Sequence, residues 1–209
     1  ANFSDHGANR LGASAMMQCL ADGYFVVPHT VTHHVAGLDE HPDTNHPAFD
    51  ATEQEVRERL NRLLEVGGST PPAVLHRELG NVMLDRCGIT RTADGLRSAM
   101  ADIAEIRERF WTDLGVEEGE NGINQTLEYA GRVADFLEFA ELMCRDALER
   151  DESAGCHLRE EHKTDEGEAV RDDREYAHVA VWEHTGAEPV RHVEPLAFHN
   201  ITPVTRSYK

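Results

Sequence analysis

Residues 124–150, NQTLEYAGRVADFLEFAELMCRDALER, decide the fold. Leu127, Ala130, Val133, Ala134, Leu137, Ala140, Leu142 and Leu148 mostly follow a 3.6-residue period, so one face of a long helix is apolar. Working back along the chain, a second helical stretch begins near Thr92 and carries Leu96, Met100, Ile103, Ile106, Arg107 and Phe110 before Leu114-Gly115. A third opens at Pro71-Pro72 and places Leu75, Leu79, Val82 and Met83 ahead of Gly88; proline suits a helix start because the first N–H groups have no intrahelical partner. The earliest covers residues 52–66, with Val56, Leu60, Leu63 and Leu64 on one stripe and Gly67-Gly68 closing it. Helices of this length joined by short turns pack antiparallel. The expected fold is mainly α, an antiparallel bundle of three to four helices over residues 51–150.

The chain changes character after this bundle. Residues 151–175 are charged and turn-rich. Tyr176-Ala-His-Val-Ala-Val-Trp-Glu-His then alternates apolar with polar or small residues and breaks at Gly186. Val190-Arg-His-Val is a second short strand, followed by Pro195-Leu-Ala-Phe. The pattern predicts a C-terminal antiparallel β-hairpin docked on the bundle, with an extended tail, all within residues 151–209. Upstream, residues 37–50 (GLDEHPDTNHPAFD) are rich in Pro, Asp and His and read as a linker.

Composition bounds the function. The 209 residues carry a net charge of −19, which argues against nucleic acid, because phosphates demand a basic surface. Lys163 and Lys209 are the only lysines among 20 basic residues. An acidic, lysine-poor surface is what adaptation to high salt produces, since screening relieves the self-repulsion. No run approaches the roughly 18 apolar residues that span a bilayer. Cys19, Cys87, Cys144 and Cys156 are widely spaced, without a CxxC pair; that spacing favours reduced, mostly buried thiols over a disulfide framework or a zinc site.

The chain opens with ANFSDHGANRLGASAMMQCLADGYFVVP, residues 1–28. Residues 1–12 read as loop and 14–27 as helix, with Ser14 as its cap and Pro28 past its end. Arg10 therefore sits just before a helix start. A guanidinium grips a carboxylate with two parallel hydrogen bonds, and a helix N-terminus offers unpaired N–H groups to a second electron-rich group. The arrangement suits an anion-handling site.

The wording HGANRLGAS, residues 6–14, followed by an Ala/Met-rich helix, resembles the flavoprotein subunit of succinate dehydrogenase and fumarate reductase. The resemblance extends through the segment Glu152-Ser-Ala-Gly-Cys-His157-Leu-Arg159 and Arg171-Asp172-Asp173 to the closing RSYK, and GASAMMQCLADGYFVVP looks like the branch that pairs with a diheme membrane anchor. The resemblance implies FAD as cofactor and succinate or fumarate as substrate. It further implies an iron–sulfur subunit as partner, a membrane anchor with quinone reached through that subunit, and a peripheral place on the inner face of the cell membrane. By the same resemblance Arg10 binds a substrate carboxylate, while Ser14, Ala15 and Met16 fall where the family contacts the flavin. The family has Asn-Ser-Leu where this chain has Ser14-Ala15-Met16, so a backbone contact is expected to survive where a side-chain hydroxyl is lost. Residues 1–36 correspond to the end of an FAD-binding domain. Because the family's flavin-attachment histidine and proton-delivering arginine have no counterpart here, the chain by itself is expected to be inactive.

Two other functions compete. One is a stand-alone acidic helical module that binds a protein partner without chemistry; the other is L-aspartate oxidase, a related flavoenzyme. The opening loop speaks against the first, and the Arg-Asp-Asp tail with RSYK against the second. His29, His33 and His34 have H-x3-H-H spacing, which on a helix could present zinc ligands. Pro28 and the β-branched residues around them make solvated linker histidines the expectation, and the histidines of the run 157–162 (HLREEH) are read the same way. His6 is expected to be structural. Glu152 with Ala154 (usually Arg), Arg159, Arg171, Asp172 and Asp173 either lock the tail to the bundle by charge-assisted hydrogen bonds or form a solvated loop.

Overall fold

The computed structural model describes residues 14–38, 43–117, 122–186, 188–200 and 202–204. The chain divides into two units, residues 1–62 and 63–209.

In the first unit, α1 (Ser14–Ala21) runs into a π-helical turn (Asp22–Val26) and on into α2 (Val27–Ala36). The expected stop at Pro28 is not there. A proline inside an α-helix removes one N–H and crowds the carbonyl four residues back. The wider π turn immediately ahead of Pro28 accommodates both defects, and the helix continues to Gly37. Gly37 N–H closes it on the carbonyls of His33 and His34 at 3.2 and 3.1 Å. Helix α3 (Pro47–Glu65) begins five residues before the expected start. Pro47 suits the first turn, and His46 Nδ1 accepts the Ala48 N–H at 3.2 Å, satisfying one of the otherwise unpaired donors.

The second unit is the expected antiparallel bundle. Helix α4 (Pro72–Cys87) opens on proline; α5 (Ala93–Asp113) and α6 (Gln125–Glu149) open on side-chain caps. Thr92 accepts Gly95 N–H at 3.0 Å, and Asn124 accepts Leu127 N–H at 2.9 Å. The three helices pack mutually. Their buried faces supply Leu75 and Leu79, then Leu96, Ile103, Ile106 and Phe110, then Val133 and Leu137, with Leu63 from the end of α3 and Leu114 closing the set. Ala99, Ala130, Ala140 and Ala147 are buried among them, and such short side chains let helix backbones approach closely. Of the stripe on α3, only Leu63 is buried; Val56, Leu60 and Leu64 are exposed.

Gly68 makes a close seam with the end of α5. Its N–H donates to Leu114 O at 2.9 Å, Thr70 N–H donates to Asp113 O at 2.8 Å, and a Cβ on Gly68 would lie 2.2 Å from the Asp113 carbonyl carbon. Asp113 adds its carboxylate, which accepts from Ser69 N–H at 2.9 Å and from the hydroxyls of Ser69 and Thr70.

Beyond α6 the chain forms β2 (Leu158–Arg159), which pairs in parallel with β1 (Thr90–Arg91), then the single turn α7 (Asp173–Tyr176). The hairpin follows as β3 (His178–Glu183) and β4 (Val190–Pro195), antiparallel with Trp182 opposite Arg191. Gly186 turns it at φ +79°, a conformation glycine adopts without a Cβ penalty. Trp182 docks the hairpin on the bundle, its indole N–H donating to Asp146 Oδ1 at 2.7 Å.

Candidate functional site

The charged segment is an interior feature. Glu152 and Arg159 are each only 2% exposed, and Ser153 and His157 are buried with them. A buried guanidinium is tolerated only when its donors and charge are answered. Arg159 meets that condition at the C-terminus of α6. It reaches the carbonyls of Ala147, Leu148 and Arg150 at 3.3, 3.4 and 3.4 Å, and pairs with Asp151 at 3.1 Å and Glu161 at 3.3 Å. The last carbonyls of a helix lack intrahelical partners and carry partial negative charge, so an arginine there is doubly favoured.

Glu152 does the complementary task. Its carboxylate takes Arg150 Nη1 at 2.6 Å and the backbone N–H of Asp172 at 2.7 Å. Arg150 then donates to the carbonyls of Tyr176 and His178 at 3.2 and 2.9 Å. Ser153 Oγ accepts Arg159 N–H at 2.8 Å and donates to Arg159 O at 3.1 Å. One set of bonds therefore joins the end of α6, the 152–159 turn, Asp172 and the first hairpin strand. Arg171 pairs outside this core with Asp173 and donates to Val204 O at 3.1 Å.

His157 is not the solvated histidine that the run 157–162 suggested. Its Nε2–H donates to Arg150 O at 2.7 Å, while Nδ1 accepts from Arg91 Nη1 at 2.8 Å. A carbonyl can only accept and a guanidinium can only donate, so the ring is neutral with its proton on Nε2. Burial pushes its pKa down, against the carbonyl bond, and the charges of Arg91, Arg159 and Arg150 add to the depression. Spacing alone could not reveal this, because the carbonyl and the guanidinium lie 7 and 66 residues away. His162 is bound to Asp151 at 2.8 Å.

Arg91 also reaches the carbonyl of Cys87 at 3.2 Å. Cys87 and Cys144 are buried free thiols, whereas Cys19 and Cys156 are exposed free thiols. The neighbouring Cys144 thiol lowers the pKa of Cys87, while Cys87 and burial raise that of Cys144; Arg91 favours the Cys87 thiolate. Cys144 Sγ lies 3.8 Å from Met83 Sδ. No group of three or more His, Cys, Asp or Glu among the described residues is placed to hold a metal. His29 and His33 do share a face of α2, their rings stacked at 6.3 Å.

Of the expected ligand-binding residues, Ala15 and Met16 stand in the first turn of α1, with Ala15 half-buried and Met16 65% exposed. Arg10, His6, the side chain of Ser14 and the closing residues 206–209 lie outside the described residues. No acidic side chain occupies the first turn of α1. None of the described helices is long and apolar enough to cross a membrane.

The fold gives the class first. A solved structure of Escherichia coli quinol fumarate reductase matches with a TM-score of 0.66 and 26% identity, covering 78% of this chain and 27% of that one. The chain belongs to the family described as the fumarate reductase flavoprotein C-terminal region, whose model matches residues 76–208. The fumarate reductase flavoprotein subunit of Proteus vulgaris is 30% identical over 80% of this chain and 27% of its own length. The succinate dehydrogenase flavoprotein subunit of Bacillus subtilis is 28% identical over 99% of this chain and 34% of its own length. The chain thus spans about a third or less of the length of these relatives.

Proposed function

We propose that this chain is the C-terminal part of a flavoprotein subunit that interconverts succinate and fumarate by hydride transfer to or from FAD and passes the electrons to an iron–sulfur subunit. The observation that carries this reading is the likeness to the Bacillus subtilis subunit over 99% of the chain, which takes in the Arg10 loop, the bundle and the tail together. Residues 1–36 then end the FAD-binding domain, 37–50 link it to the bundle of residues 51–150, and residues 151–209 form the interlock, hairpin and arm. The whole lies peripherally on the inner face of the cell membrane, held through the partner subunit to a quinone-carrying anchor.

The residues at the start of α1 fit a flavin. The short side chain of Ala15 and the absence of acid in the first turn leave the backbone N–H groups there without a repelling charge. Ser14, Ala15 and Met16 would hold the cofactor by these backbone donors. When bound, the flavin supplies the two-electron acceptor. Arg10 fixes one carboxylate of the dicarboxylate by a bidentate bond, holding the substrate carbon in near-attack position.

The test uses the full-length subunit in its complex. Arg10→Lys keeps the charge but loses the planar fork, and succinate-dependent dye reduction is expected to fall by about 100-fold or more with flavin content unchanged. Near-normal turnover would remove Arg10 from the site. A full-length product whose flavin absorbance does not bleach with succinate would remove the reaction itself.

A further inference from the structure

The hairpin and the bundle leave an open cleft of about 470 Å3 between them. Both walls are fixed. Trp182 is tied to Asp146 of α6, and Glu188 in the hairpin loop pairs with Arg145 of α6 at 2.9 Å. Part of the lining between those walls is apolar. Trp182 and Leu142 contribute to its lining, and so does Phe139, a residue that is 61% exposed. An exposed ring inside a concave, half-polar cleft is the kind of surface that ligands and partner chains use.

The electrostatics of the cleft have one sign. Five carboxylates line it against two guanidinium groups, those of Arg107 and Arg145. Both cations are already engaged by Glu141, which they hold ionised against the cost of its burial. What remains at the mouth is acidic. The side chains of Glu138, Glu183 and Glu188 are 71%, 61% and 82% exposed. Arg107 Nε lies 3.2 Å from Glu138 Oε1 but is not aligned for a hydrogen bond, so even this pair leaves Glu138 with acceptor capacity.

We propose that this cleft receives a basic, extended segment of a partner polypeptide in the same assembly. One Arg or Lys side chain lies along Phe139, with its charge between Glu138 and Glu188. The apolar stem of such a side chain matches the ring, and its cation is attracted both by the ring face and by the carboxylates. A neutral or acidic segment would leave the net negative charge of the rim unbalanced and partly desolvated. The inference rests on the reading of the chain as part of a subunit, which supplies a partner chain; the cleft itself lies wholly within residues 63–209.

The test places the photo-cross-linker benzoylphenylalanine at position 139 of the full-length subunit, in the assembled complex, and maps the products by mass spectrometry. The expected product joins position 139 to a Lys- or Arg-bearing segment of another subunit. Its yield should fall by about 10-fold in the double variant Glu138→Lys, Glu188→Lys and by less than about 2-fold in the control Glu55→Lys, Glu58→Lys on α3, two residues that do not line the cleft. Absence of an intersubunit product overturns the proposal, as does a product on a segment without basic residues. Equal loss in both charge variants also overturns it, because bulk charge rather than the cleft would then be responsible. Succinate oxidation by the same complex separates the two readings: the product without turnover keeps the cleft and removes the proposed reaction, and turnover without the product does the reverse.

Discussion

At the scale of single residues, His157 and Arg159 hold the tail to the bundle through partners that are distant in the sequence. The neutral, buried state of His157 makes stability depend on pH in a known direction. Its pKa in the folded protein lies below the ordinary value of 6.5. Above that value both folded and unfolded forms are neutral and the contribution is complete; as pH falls below it, the unfolded chain takes up a proton that the folded one refuses, and stability is lost. The urea midpoint should therefore drop between about pH 7.5 and 5.5, and drop less in His157→Gln. Equal slopes would mean that the ring is not held neutral. Sequence pattern could announce Arg159 through the resemblance but not explain it, since its carbonyl partners at Ala147 and Leu148 exist only once α6 has ended there. The same distinction applies to Arg10: the motif HGANRLG carries its proposed role, whereas the side chains that would surround it leave no mark in the sequence.

At the scale of elements, α4, α5 and α6 follow their periodicity and caps closely, because their apolar stripes coincide with buried faces. The sequence reading departs where local chemistry has two solutions. Pro28 signals a stop, and the π turn before it removes the need for one. The pairing of Thr90–Arg91 with Leu158–Arg159 leaves no signature at all, since two residues cannot show a period. Gly67-Gly68 is legible as a helix stop, but the reason position 68 must be glycine is tertiary. Gly68→Ala is expected to destabilise by about 1–3 kcal/mol, because the methyl group meets backbone that has no rotamer to yield. A thermal or urea denaturation series checks it; a change within about 0.5 kcal/mol would show that the seam opens easily. The exposed side of α3 is a different case. Val56, Leu60, Leu63 and Leu64 form a regular stripe, of which only Leu63 is buried.

At the scale of the molecule, the charge of −19 is a global term that no single ion pair answers. Its self-repulsion acts over distances that salt screens. The melting temperature is expected to rise between about 0.1 and 1 M NaCl. A flat response would mean that the local pairs already balance the field, and that the acidic composition has no bearing on salt tolerance. The bundle and the hairpin are legible from 209 residues because each is a local pattern; the interlock and the cleft arise from the way those patterns meet.

The parallel pairing of β1 with β2 also sets an order of events. Its two strands lie on either side of α5 and α6, so the clasp closes a loop of more than sixty residues. Closing that loop in an open chain is entropically costly, whereas the helices between can dock through contacts much nearer in sequence. The clasp should be among the last contacts to form on folding and among the first to open. Removing the Ser153 hydroxyl, which fastens Arg159, should then speed unfolding and leave the refolding rate almost unchanged. A slowed refolding limb in Ser153→Ala would instead put the clasp in the nucleus. The paired strands would then act as a latch that sets how long the native state lasts rather than how quickly it is reached.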